Sequence, residues 1–212
     1  MFTLSYLLFT LGVLNFKGAS ETQGKVSLSD APIEVRDYNG SLYATCEMKP
    51  STTLPLGQPQ IYGQVLFKQV YPAGRMQIIV NLRGFPTRES ERAIHIHQFG
   101  DLSKGCSAAG PHFNPLGQHH ANHPGDLGNF GSSRGQVHAS VTAKVTLFGT
   151  QSVLGRSVVL HERKDDMGKG GDEESLRSGN AGQRIACCVI GVSSSSLWEN
   201  TAESSWEDSA EE

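Results

Sequence analysis

Residues 136–147 read QVHASVTAKVTL. Val137, Ala139, Val141, Ala143 and Val145 alternate with His138, Ser140, Thr142, Lys144 and Thr146. On an extended backbone successive side chains point to opposite faces, so this stretch has one apolar face and one polar face. It predicts a half-buried strand of an antiparallel sheet, with His138 exposed on the polar face. Working outward, short β-like runs separated by Gly, Pro and Asn fill the chain from Leu42 to about Val192: Leu42–Met48, Ile61–Val70, Met76–Leu82, Ala93–Phe99, Ser157–His161 and Ile185–Val192. Tyr71-Pro72-Ala73-Gly74 would close a hairpin between Val70 and Met76. No long segment of helical period competes. The expectation is an all-β antiparallel sandwich or barrel.

Two stretches break the rhythm. Residues 100–133 and 162–184 are long, Gly-rich and poor in β-formers, and read as loops. Loops of such length inside a compact domain are usually functional or disordered, and the charged and metal-capable residues in both favour function.

The remainder of the chain frames this domain. At 212 residues there is room for one domain plus tails. Residues 1–20, MFTLSYLLFTLGVLNFKGAS, carry an apolar run from Leu4 to Leu14 that is too short to span a bilayer as a helix, followed by small residues suited to cleavage. They read as a secretory signal, and no later segment approaches a transmembrane length. Residues 21–41 read as a loose polar leader. The end, 193–212, opens with four serines and then holds Glu199, Glu203, Glu207, Asp208, Glu211 and Glu212 with no base, which predicts a solvated acidic tail with one short helix around Leu197 and Trp198. Loss of residues 1–20 removes Lys17 and no acid, taking the formal charge from −3 to −4, which gives no reason to expect nucleic acid as a partner. Four cysteines, Cys46, Cys106, Cys187 and Cys188, in a secreted chain suggest disulfides, for which three pairings are open. Asn39-Gly40-Ser41 fits the N-glycosylation acceptor pattern.

All eight histidines lie between 95 and 161. In AIHIHQFGD (93–101), an extended backbone projects His95 and His97 from one face and Ile94 and Ile96 from the other. Taken alone, that is a strand with two outward imidazoles. The next loop changes the reading, because it holds His112, His120, His123 and Asp126. The short spacings between the last three let one loop wrap several ligands around an ion, and three imidazoles with one carboxylate make a tetrahedral zinc set. His95, His97 and the later His161 form an all-nitrogen group of the kind that suits copper. His119 adjoins His120 and could exchange with it.

The strings HIHQFGD, GPHFNP, GDLGN, DDMGKGGDEES and GNAGQRIAC resemble copper/zinc superoxide dismutase in order and interval, over about 42–192. The short His120–His123 interval, the Cys187-Cys188 pair and GVSSSSLWE are most similar to the family's secreted, extracellular branch. The resemblance implies a Greek-key, immunoglobulin-like antiparallel β-barrel or sandwich with two long functional loops. It implies copper on His95, His97, His112 and His161, and zinc on His112, His120, His123 and Asp126, with His112 as a bridging imidazolate; His120 is preferred to His119 because its distance from His112 matches the family interval. Asp165 would be the carboxylate that links a copper histidine to a zinc histidine, and Arg184 the arginine beside the copper channel. The loop 162–184, with Lys169, Glu173, Glu174 and Arg177, would be the electrostatic guidance loop, Arg177 standing where a lysine is usual. Cys106–Cys187 and Cys46–Cys188 would be the disulfides.

The function so implied is dismutation of superoxide to dioxygen and hydrogen peroxide by copper redox cycling, with zinc structural, in a secreted homodimer or a tetramer. Members of that branch typically end in a basic cluster that grips heparin-like chains; the acidic end here predicts none. One alternative is a secreted copper/zinc-binding module without turnover, which would normally have lost a copper ligand or the arginine. A zinc hydrolase would need an open zinc position and a free carboxylate base, whereas this zinc set reads as closed.

Overall fold

The computed structural model describes residues 27–207; the signal-like segment 1–20, residues 21–26 of the leader and residues 208–212 lie outside the described residues. Ten strands run in chain order: β1 (Ser41–Pro50), β2 (Tyr62–Val70), β3 (Met76–Arg83), β4 (Ser90–His97), β5 (Ser103–Cys106), β6 (Asp126–Ser132), β7 (Gln136–Ala143), β8 (Ser157–His161), β9 (Arg184–Val189) and β10 (Gly191–Ser193). Three helices accompany them: α1 (Ile33–Asp37), α2 (Glu173–Ser178) and α3 (Ser196–Glu207).

The strands pair antiparallel in the order β6-β4-β8-β9-β1-β2-β3-β7, with β10 added on β1. The two ends of this order, β6 and β7, are consecutive in the chain, and Ser133 and Gln136 exchange backbone hydrogen bonds across the turn between them. The ladder thus nearly closes into a barrel, which removes most of its edge. Its interior is filled by alternate residues: Leu42, Ala44, Cys46 and Met48 from β1, Val65 and Phe67 from β2, and Met76, Ile78, Val80 and Leu82 from β3. On β7, Val137 is buried and Ala139, Val141 and Ala143 pack against the same core, while His138 is exposed.

The structure departs from the sequence reading in several places. The stretch 100–133 is not a single loop, because it contains β5 and β6. DLGNFGS is a poor strand by propensity, but β4 offers it a full ladder from Ser90↔Ser132 to His95↔Asp126, and pairing overrides local preference. The same pairing starts β4 at Ser90, ahead of the expected Ala93, and β4 ends at His97, short of Phe99. The strand at 136–147 stops at Ala143. The final run divides at Ile190, whose N–H donates to Arg156 O, into β9 and β10. The chain ends of the domain are also less loose than their composition predicts. Val35 of α1 is fully buried in the core, and α3 is a 12-residue helix whose Trp198 packs on Tyr43, with Lys68 over its ring.

Candidate metal centre

Sheet register assembles the site. β4 lies between β6 and β8, so Asp126 pairs opposite His95 on one side, and β8 continues on the other to His161, which pairs with Arg184 of β9. Ladder irregularities fall at Ile94/His95 and at Leu160/His161, next to the functional residues, where bulges commonly re-aim side chains. Ile94 and Ile96 point into the core and anchor the strand; His95 and His97 are buried on the opposite side beneath the loops. His112 reaches them through an isolated bridge to His97, supported by Phe113 N–H to Ile96 O at 2.7 Å.

The result is two groups of four. His95, His97, His112 and His161 offer ligand atoms within 4.8 Å of one another, and so do His112, His120, His123 and Asp126. His112 belongs to both. His119, by contrast, is exposed and outside either group, and His138 is remote on the outer face of β7.

Most of the rings are aimed through their second nitrogen, which is how ligating histidines are generally fixed. His97 Nδ1–H donates to Gly110 O at 2.8 Å and His161 Nδ1–H to Gly182 O at 3.3 Å; a carbonyl only accepts, so both rings carry the proton there and keep Nε2 as a lone pair. Those two Nε2 atoms stand 3.2 Å apart. Asp165 takes His95 Nε2–H at 2.9 Å and His120 Nε2–H at 2.7 Å, which leaves Nδ1 of each ring free. Buried and without a hydrogen-bond partner are His95 Nδ1, His112 Nε2 and His120 Nδ1. His120 Nδ1 lies 2.9 Å from Asp126 Oδ2 but out of line for a hydrogen bond, an arrangement of two donor atoms beside a common third point. Orphaned buried nitrogens of this kind are costly unless something binds them, and a cation is what these lone pairs and the Asp126 carboxylate fit.

The electrostatics agree. Burial, then the neighbouring histidines, pushes His95 down to about 4 and His97 and His161 well below the usual imidazole value, so all three stand neutral at physiological pH. Burial acts the same way on His120, but the carboxylates of Asp126 and Asp165 outweigh it and raise that ring to about 9. Against the upward pull of burial, the histidine partners hold Asp126 and Asp165 well below the ordinary carboxylate range.

Arg184 is half-buried, and one of its terminal nitrogens donates to Cys106 O at 3.1 Å and Ser107 O at 3.3 Å. Its charge is felt at His97 and His161. Cys106 is disulfide-bonded to Cys187, and Cys46 to Cys188, so the carbonyl that holds Arg184 is itself tied to β9. On α2, Arg177 pairs with Glu174, while Glu173 and Arg177 line a cavity that also touches His112.

Several positions matter that residue type alone did not single out. Asn129 clamps Asp165 from both sides of its peptide, accepting Asp165 N–H at 2.7 Å and donating to its carbonyl at 2.9 Å. Its only signal in sequence was its place in GDLGN. Gly179, in the left-handed region at φ 68, caps α2 so close to the site that a Cβ would land on Asp165 Oδ1 and crowd His120 Nε2. Asp166 accepts from Ser175 Oγ at 2.7 Å and Asn180 Nδ2 at 2.8 Å, which fastens the loop around α2.

Residues 61–190 match the copper/zinc superoxide dismutase (SODC) family. The chain is 48% identical over 172 residues to the extracellular superoxide dismutase [Cu-Zn] of Homo sapiens, covering 79% of this chain and 71% of that protein. It is 51% identical over 162 residues to the corresponding protein of Mus musculus, covering 75% and 64%. With the superoxide dismutase [Cu-Zn] of Schizosaccharomyces pombe it shares 45% over 144 residues, or 64% of this chain and 93% of that one. The chain thus spans about two thirds of these extracellular relatives and nearly the whole of the fungal one. The matched segment carries β2 to β9, all six clustered histidines, Asp126, Asp165 and Arg184, so this chain belongs to the copper/zinc superoxide dismutase family.

Proposed function

We propose that this chain converts superoxide to dioxygen and hydrogen peroxide, with copper on His95, His97, His112 and His161 and zinc on His112, His120, His123 and Asp126. The observation that carries the reading is His112, whose Nδ1 stands beside Asp126, whose Nε2 is unpartnered, and which belongs to both donor groups. The all-imidazole set suits copper, and the mixed set with a carboxylate suits zinc in a closed tetrahedron. Bound there, copper supplies a one-electron redox cycle and zinc a fixed positive charge.

The chain's own residues supply the rest. Of two superoxide anions, one gives up an electron and leaves as dioxygen; the other takes that electron with two protons and leaves as hydrogen peroxide. Both protons come ultimately from water, one of them taken up and passed on by His112 Nε2. Arg184 keeps its charge at any relevant pH and draws the anion toward the site, and Glu173, Glu174 and Arg177 shape the field around the approach. Asp165 holds His95 and His120 in their ligating orientation.

Residues 42–192 are read as the catalytic domain, 1–20 as a cleaved signal and the protein as secreted, a reading supported by the extracellular relatives. Among the described residues no helix is long and apolar enough to cross a membrane. Asn39, exposed before β1, is the proposed glycan site. Family resemblance favours a homodimer. The acidic end, with no Lys or Arg after Arg184, argues against a C-terminal heparin grip.

The test is metal content and superoxide consumption of the purified secreted chain. The expected result is copper and zinc in equal amounts, with activity abolished by a copper chelator and restored by copper. A metal-replete chain without turnover would leave a binding module instead.

A further inference from the structure

A cavity of about 680 Å³ opens between the loop 111–119 and α2. That is the size of a small-molecule pocket, and superoxide, a diatomic anion, needs almost none of it. Pro111, Phe113, Pro115 and Leu176 supply apolar wall, and Arg156 supplies positive charge.

Arg156 is fixed in the wall of this cavity by neutral groups. Its Nε donates to Ser152 O at 2.9 Å and Nη1 to Gln98 O at 2.8 Å, and its guanidinium lies 4.0 Å from the centroid of Phe113. The group is thereby held in place before any ligand arrives. Its Nη2 makes no hydrogen bond among the described residues, and no carboxylate of those residues pairs with it. Burial alone lowers its pKa, with no acid opposing the shift. Arg177, on the other wall, is paired with Glu174, and Glu173 adds an acid on that side. The cavity is therefore polarised, with an uncompensated, preorganised cation at the Phe113 end and acid at the α2 end.

We propose that this cavity is a binding site for a small aromatic carboxylate, its headgroup on Arg156 and its ring against Pro111, Pro115 and Leu176. A partly desolvated guanidinium with a free N–H is a strong carboxylate partner, and the apolar walls favour a flat hydrophobic body over a hydrated inorganic anion. Glu173 sets the orientation by repelling the headgroup from α2.

The test is ligand-observed NMR titration of the metal-loaded, full-length secreted protein with naphthalene-2-carboxylate. Saturable binding is expected. It should weaken about tenfold or more when the probe is naphthalene-2-carboxamide, which keeps the ring and loses the charge. It should weaken to a similar degree in Arg156→Gln, and in Leu176→Glu, which removes apolar wall and adds a repelling acid. Leu176 is 53% exposed, so its substitution should leave the fold intact and decide the matter even if Arg156→Gln proves unstable. Absence of saturable binding, equal affinity for the amide, or affinity unchanged in Leu176→Glu would each overturn the proposal.

Discussion

Asp165→Asn tests the scaffold of the metal centre more sharply than loss of a ligand would. The carboxylate accepts from His95 Nε2 at 2.9 Å and from His120 Nε2 at 2.7 Å, and both side-chain contacts are fully buried. An amide of the same shape offers one acceptor and one N–H pair. Oδ1, which faces His120, also accepts Met167 N–H at 2.7 Å, so the amide keeps its oxygen there and turns its N–H pair on His95. His95 must then move its proton to Nδ1, the nitrogen that should bind metal, while His120 keeps its acceptor. Copper affinity should therefore fall more than zinc affinity. Supporting residues of metal ligands typically matter by about 10- to 100-fold, so a copper affinity lower by roughly 1.4–2.7 kcal/mol is expected. Competition with a chromophoric copper chelator at fixed pH measures it, with zinc retention read in parallel. Copper affinity within about threefold of the parent, or zinc lost while copper stays, would refute the assignment of Asp165 as the link.

Four further outcomes are expected. His97→Ala should empty the all-histidine set and abolish activity while zinc stays bound, whereas His112→Ala should damage both sites; equal loss of both metals in His97→Ala, read by elemental analysis, would contradict the grouping. Arg184→Glu should lower the second-order rate and make it rise with added salt, since screening then relieves repulsion; a rate that still falls with salt would show that another charge dominates. In the metal-free protein, His95, held at about 4, binds fewer protons folded than unfolded below its ordinary value near 6.5. Its contribution is thus fully present above that value and falls as pH drops, by about 3 kcal/mol at pH 4, so denaturant midpoints equal at pH 7 and pH 5 would count against this account. Finally, the full chain should elute from heparin below physiological salt; retention beyond it would demand a basic surface elsewhere.

The residue types at 95, 97, 112, 120, 123, 126 and 161 were enough to point to two metals, because ligand chemistry depends on identity and short spacing, both of which are local. The alternation at 136–147 was enough to predict a half-buried strand, because burial of one face leaves a period of two. Local pattern could not reveal β6: Gly128, Asn129 and Gly131 argue against a strand, and only the ladder with β4 overrides them. Nor could it reveal that Val35 enters the core or that α3 seats Trp198 on Tyr43, since a polar-looking segment becomes ordered only when another surface covers its few apolar residues. The aiming of each ring, by Gly110 O, Gly182 O and Asp165, rests on groups distant in sequence from most of the nitrogens they fix. The tertiary structure decided those contacts, because sheet register and loop closure, and not spacing, set which lone pairs converge.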